Sequence, residues 1–279
     1  MSCHEVSGRM NHPCVWLDLV GLEGFIFFMK KFSINIAGMQ IGITAIYEDT
    51  CKLCTDYLSD RESADILVET TKEDIEFERE KAAREDEVEG IPARNFSDGY
   101  LETLAVYRKI AAAALERDTF LFHGSVIAVD GAAYLFTAKS GTGKSTHTRL
   151  WRELLGERAV MVNDDKPLLQ IKDGKVIAWG TPWDGKHHLS ANIGVPLKAV
   201  CALKRGEKNR IHKAESRELY PLLLQQTYRP GEPLQMVKTL HLLDCLISGV
   251  DLYELECNME PEAASIAYKG MNHTDDMEY

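Results

Sequence analysis

Residues 132–146 read Ala132-Ala-Tyr-Leu-Phe-Thr137-Ala138-Lys-Ser-Gly-Thr-Gly143-Lys144-Ser145-Thr146. An apolar run, Ala132 to Thr137, breaks into a short loop of small residues, and Lys144-Ser145 then opens a helical segment. The spacing is that of the phosphate-cradling pattern G-x-x-x-x-G-K-[ST], with Ala138 standing where the first Gly is expected. Small residues are needed because the backbone must curl until successive N–H groups face one anion. The helix that follows adds the positive end of its dipole. This reading assigns Ser140, Gly141, Thr142, Gly143, Lys144, Ser145 and Thr146 to nucleotide binding. Lys144 is expected at the β- and γ-phosphates, and the Ser145 hydroxyl on Mg²⁺, with ATP as the nucleotide.

A second apolar run, Ala159-Val160-Met161-Val162, ends in Asn163-Asp164-Asp165. Strands that end in a carboxylate pair supply the metal ligand and the base of many phosphoryl-transfer sites. Adjacent carboxylates repel unless a cation or a shared proton compensates them. Upstream stands His123-Gly124-Ser125-Val126, with His123 21 residues ahead of Lys144. The Asp130-Gly131 pair predicts a tight hairpin joining residues 125–129 to residues 132–137. Such a hairpin would carry His123 to the end of the sheet where the loop begins.

Taken together, His-Gly-Ser-Val, the hairpin, Ser-Gly-Thr-Gly-Lys-Ser and the Asp-Asp strand end resemble HPr kinase/phosphorylase and its phosphoenolpyruvate-carboxykinase-like relatives. The resemblance spans about residues 121–200. It implies an α/β fold with a mixed sheet, in which the phosphate loop follows a hairpin, preceded by a small N-terminal α/β region. It further implies Asp164 as the base that accepts the proton of an attacking hydroxyl and Asp165 as a placer of the metal. His123 would face the γ-phosphate or the metal, and Lys144 would act on the transferring group. The chain lacks the second basic signature of a full HPr kinase and the length of a full carboxykinase. It looks like a smaller, divergent member, resembling the kinases that modify ribosomal peptides. The expected reaction is transfer of the γ-phosphoryl group of ATP, with Mg²⁺, to a Ser hydroxyl of a protein or peptide. A non-catalytic ATP-binding sensor and a small-molecule or carboxykinase-like enzyme remain as alternatives.

The 279 residues carry 32 Lys and Arg against 43 Asp and Glu, a net charge of −11, which argues against a nucleic-acid surface. Residues 72–89 hold nine acids and four bases in one helix-like stretch that reads as a solvated face. Seven scattered cysteines and no signal-peptide pattern fit a reducing cytoplasm. The pair Cys51 and Cys54 has no second pair at zinc-ribbon spacing and reads as small apolar residues on a short helix. The longest apolar stretch, Val15 to Met29, contains Asp18 and Glu23 and is too short to span a bilayer, so no membrane association is expected. Whether the chain forms a homo-oligomer is left open.

Along the chain, residues 1–28 read as an extension outside the periodic pattern, residues 29–118 as the N-terminal region, residues 119–271 as the nucleotide-binding domain and residues 272–279 as a frayed tail. Periodicity predicts a hairpin over 30–47 and helices at about 50–58, 72–89 and 99–117. Strands are predicted at 168–171 and 175–179 about Asp173-Gly174, and a strand pair at 197–204 and 210–213. Helices at 215–227, 233–248 and 260–269 and a strand at 252–257 complete the reading. Between them, residues 180–192 form a loop with Trp183, Lys186, His187 and His188. Lys186 is a candidate for the transferring phosphoryl group and Asn192 for a polar wall. Trp183 either packs on a base or substrate or is buried closing the hairpin.

Overall fold

The computed structural model describes residues 15–20, 26–61, 63–139 and 141–272. The chain divides into two units, Met1–Asn35 with Met39–Val106, and Ile36–Gly38 with Tyr107–Tyr279. Most of the expected extension (residues 1–14 and 21–25), residues 273–279 of the tail and Ser140 lie outside the described residues.

The first unit holds strands β1 (Val15–Val20), β2 (Ile26–Ile36), β3 (Met39–Ala45) and β4 (Ile66–Glu69) in one sheet of order β1-β2-β3-β4. The segment Val15–Val20, read from sequence as part of an extension, pairs antiparallel with β2. Helix α1 (Asp49–Leu53) follows β3, and α2 (Lys72–Glu89) follows β4. The acidic stretch is this second helix. Thr71 and Asp74 close a capping box at its start, and Gly90 ends it in a left-handed conformation. Helix α3 (Asp98–Ala114) contains the division between the units. Near its start, buried Glu102 accepts the backbone N–H groups of Ile46 and Tyr47, at 2.7 and 2.8 Å, and the Thr70 hydroxyl at 2.5 Å. These bonds supply the partners a buried carboxylate needs. Cys51 is disulfide-bonded whereas Cys54 is a buried free thiol, so the two C-x-x-C residues are not joined to each other.

The second unit contains β5 (Thr119–Leu121), β6 (Ser125–Val129), β7 (Ala132–Thr137), α4 (Lys144–Leu155), β8 (Ala159–Asn163), β9 (Leu168–Lys172), β10 (Lys175–Trp179) and β11 (Gly194–Arg205). It continues with β12 (Arg210–Lys213), α5 (Ser216–Gln226), α6 (Pro233–Gly249), β13 (Asp251–Cys257) and α7 (Glu262–Asn272). Nine strands form a mixed sheet with the path β5-β9-β10-β11-β7-β6-β8, and β13 pairs with both β11 and β12. Strands β7 and β13 run parallel to β11, while β6 is antiparallel to β7 and to β8. The fold is mixed α/β, as the resemblance implied.

Period-two burial on both faces makes this sheet the middle of three layers. Val126, Ala128, Ala133, Leu135, Val200 and Ala202 face one core with Leu219 and Leu223 of α5 and Leu242, Leu243 and Leu246 of α6. Ile127, Val129, Tyr134, Phe136, Ala199 and Cys201 face the other, with Leu150, Trp151 and Leu155 of α4 and Ala264, Ala267 and Tyr268 of α7. Asp130-Gly131 and Asp173-Gly174 turn with positive φ at both residues, the mirror-image turn that matches strand twist.

One pairing differs from expectation. Strand β12 does not pair with β11 across their short turn; it pairs antiparallel with β13, which lies parallel beside β11. Alternation and turn residues identify strands but not neighbours, and here a later strand takes the edge of β11.

Candidate functional site

Three strand ends meet at one edge of the second unit's sheet. The register places Ser125 opposite Phe136 on β7, and Val126 opposite Asn163 on β8. His123-Gly124, the loop from Ala138 and the Asp164-Asp165 pair therefore emerge side by side. The expected β6–β7 hairpin carries His123 to the loop, and the antiparallel pairing of β6 with β8 adds the Asp164-Asp165 pair beside them.

After Ala138, which is buried, the loop reaches α4 through Gly141 and Gly143, with φ of +73° and +118°. A Cβ at either glycine would meet nothing within 4 Å, so these positions are glycine for backbone conformation rather than for space. Gly143 is the N-cap of α4 and offers no side-chain cap, which leaves the first-turn N–H groups of the helix directed outward. The Lys144 ammonium donates to the Ala138 carbonyl at 3.2 Å. Burial lowers the Lys144 pKa, while the charges of Asp165 and Asp164 pull it back up.

Asn163 builds the turn that holds the carboxylates. Its side-chain oxygen accepts the N–H groups of Asp165 and Lys166, at 2.9 and 2.7 Å, and its amide donates to the Thr181 carbonyl at 3.0 Å. Asp164 is buried, and its Oδ1 accepts the hydroxyls of Ser125 at 2.5 Å and Thr148 at 3.5 Å. Asp165 sits between two nitrogen partners, with Lys166 Nζ at 2.8 Å and His123 Nε2 at 3.2 Å. Burial alone would raise its pKa. The hydrogen bond from His123 and the charge and hydrogen bond of Lys166 outweigh that and hold the carboxyl well below the usual range. His123 is anchored by its own N–H on the Gln226 carbonyl at 2.7 Å and by its carbonyl, which accepts the Thr137 hydroxyl at 3.2 Å.

Beside Asp164 an open cleft of about 920 Å³ runs along α4. Ser145, Arg149 and Arg152 line it at i, i+4 and i+7 spacing, with Met161 of β8, Asp164, and His187 and Leu189 of the long loop opposite. Ser145 and Asp164 thus border one space. Gly185 lies directly over Asp164, where a Cβ would come within 3.0 Å of Oδ2.

The loop over 180–192 divides the expectations drawn from it. Trp183 is 4% exposed and stacks on Tyr107 at 4.2 Å with the rings 1° from parallel, so it is a core residue and not a surface for a base or substrate. Lys186 is exposed on the turn after Gly185, His187 lines the cleft, and His188 is hydrogen-bonded to Asp184 at 3.0 Å. The sequence reading missed Ser125, Thr148 and Asn163 as supports of the carboxylates, and Tyr107, whose hydroxyl donates to the Lys166 carbonyl at 2.6 Å. Ser125 stood within a motif already noted. Thr148 and Tyr107 carried no local signal, because only tertiary packing brings them to the site.

The Hpr(Ser) kinase/phosphatase from Coxiella burnetii is similar in fold to part of this chain. The match has 12% identity and a TM-score of 0.32, and it covers 55% of this chain and 95% of that one. That is a distant relation of fold, and it assigns no residue. No protein-family model matches the chain, and no curated protein matches it. No helix among the described residues is long and apolar enough to cross a membrane.

Proposed function

We propose that this protein is an ATP-dependent kinase of the HPr-kinase-like kind that transfers the γ-phosphoryl group to a hydroxyl, most suitably a Ser of a protein or peptide. The observation that carries the reading is the convergence of a glycine-built, uncapped helix start bearing Lys144 with a buried carboxylate, Asp164, that opens on an adjacent cleft. An uncapped helix start with positive-φ glycines suits a polyphosphate. The oxygen donors of Ser145 and Asp165 suit Mg²⁺, a hard cation, which when bound would neutralise charge on the phosphates.

In this reading the loop residues 140–146 bind the phosphates, and Lys144 compensates their negative charge. The acceptor enters from the cleft along α4 with its hydroxyl toward Asp164. The hydroxyl oxygen bonds to the γ-phosphorus as the bond to the bridging oxygen of ATP breaks, releasing ADP. The hydroxyl proton passes to Asp164. Ser125 and Thr148 hold Oδ1 of that carboxylate, which leaves Oδ2 as the proton acceptor. His123 and Lys166 fix Asp165, and Lys186, exposed and next in the chain to Gly185, is assigned to the incoming phosphate.

Isothermal titration with Mg²⁺ and a non-hydrolysable ATP analogue tests the binding half. One site is expected for the intact protein, with affinity reduced at least about tenfold in Lys144→Ala, the scale of a lost charge-assisted contact. Unchanged affinity in that variant would refute the phosphate-loop assignment.

A further inference from the structure

Arg205 ends β11, the parallel neighbour of β7. The register pairs Ala202 with Thr137, the last residue of β7, so Arg205 extends three residues beyond that strand and reaches the loop. Its guanidinium donates to the Gly141 carbonyl through one terminal nitrogen and to the Thr142 carbonyl through Nε at 3.5 Å. A trans peptide points its C=O and N–H in opposite directions. Drawing the carbonyls of Gly141 and Thr142 toward Arg205 therefore turns the N–H groups of Thr142 and Gly143 away from it. The Thr142 N–H meets the Lys139 carbonyl at 3.3 Å, inside the loop. The Gly143 N–H has no acceptor among the described residues and faces the side opposite the guanidinium.

We infer that Arg205 is a positioning residue, a clamp on the loop's outer carbonyls that presets the Gly143 N–H for a phosphate oxygen. The inference rests on the kinase reading proposed above for the ligand, but not for the clamp. Both glycines lack a Cβ and tolerate either peptide orientation, so without an external tether the two peptides can flip. A planar, forked guanidinium suits two neighbouring carbonyls; an ammonium is a compact point charge on a flexible stem. Since Arg205 touches the side of the loop away from the ligand, its effect belongs to binding of the β- and γ-phosphates and not to the nucleoside.

Two measurements on the full chain test this. Amide hydrogen exchange over residues 138–146 of the nucleotide-free protein should quicken in Arg205→Ala and Arg205→Gln. Titration with Mg²⁺-ATP, Mg²⁺-ADP and AMP should show affinity for ATP and ADP falling about tenfold and affinity for AMP unchanged, with Arg205→Lys in between. Exchange and ATP affinity both at the level of the intact protein in Arg205→Ala would overturn the clamp, as would an equal loss for AMP. If Arg205→Ala fails to fold, the Gln and Lys variants decide the same comparison. An intact protein that binds no ATP, with loop exchange still dependent on Arg205, would remove the kinase reading and leave the clamp standing.

Discussion

At the residue scale the two adjacent aspartates are set in different surroundings. Asp164 has hydroxyl partners on one oxygen, whereas Asp165 is paired with Lys166 and held by His123. A base acts mainly in the transition state, so Asp164→Asn should abolish transfer while ATP affinity changes little. Asp165→Asn should weaken Mg²⁺-dependent nucleotide binding as well. Equal losses of affinity in both variants, with equal residual rates, would contradict this division. A second residue-scale consequence concerns His147, which the site does not use. It is 3% exposed, its Nε2 accepts the Trp151 indole N–H at 3.1 Å, and burial pushes its pKa down to about 4. Between the unfolded value of roughly 6.5 and that folded value, only the unfolded chain takes a proton. Stability is therefore lost as the pH falls through this window. The loss from about pH 7.5 to about pH 5 is on the order of 2 kcal/mol. His147→Gln keeps an acceptor for Trp151 and should lose less stability over the same change, as read from urea midpoints. Identical losses would show that His147 is not the group responsible.

At the scale of elements, α4 carries both the core and the site because its two faces differ. Leu150, Trp151 and Leu155 seal the core, while Ser145, Arg149 and Arg152 border the cleft. The strand–loop–helix from β7 to α4 was legible in the sequence because its three parts are contiguous and glycine marks the turns. The surroundings of Asp164 were not, because Ser125, Thr148 and Gly185 come from three separate segments. Trp183 could be read either way from its neighbours, and only the stack on Tyr107 makes it core. Gly185 gives a test of the long loop. Gly185→Ala would press a methyl group to 3.0 Å from Asp164 Oδ2 and force the carboxylate or the loop to shift. Misplacement of a reacting group by a few tenths of an ångström should slow transfer by up to roughly tenfold with ATP affinity retained. A full transfer rate in that variant would mean that Asp164 is not the group that meets the acceptor.

For the whole molecule, hydrophobic alternation and Asp-Gly turns located nearly every strand and helix of the second unit, since both signals are local. The order of strands within the sheet was only partly legible: the β6–β7 hairpin followed from its turn, but the placing of β13 between β11 and β12 depends on contacts far apart in sequence. The acceptor is not legible in either sequence or fold, because the cleft mixes Arg149 and Arg152 with Glu153 and Glu157 and so states no single charge preference. The most direct test of the central claim is incubation of the full chain with γ-labelled ATP, Mg²⁺ and the proteins and peptides encoded beside its gene. The account predicts label on a hydroxyl of one of them with the intact protein and none with Asp164→Asn. Tight ATP binding without label on any acceptor would contradict it and leave a nucleotide sensor in its place.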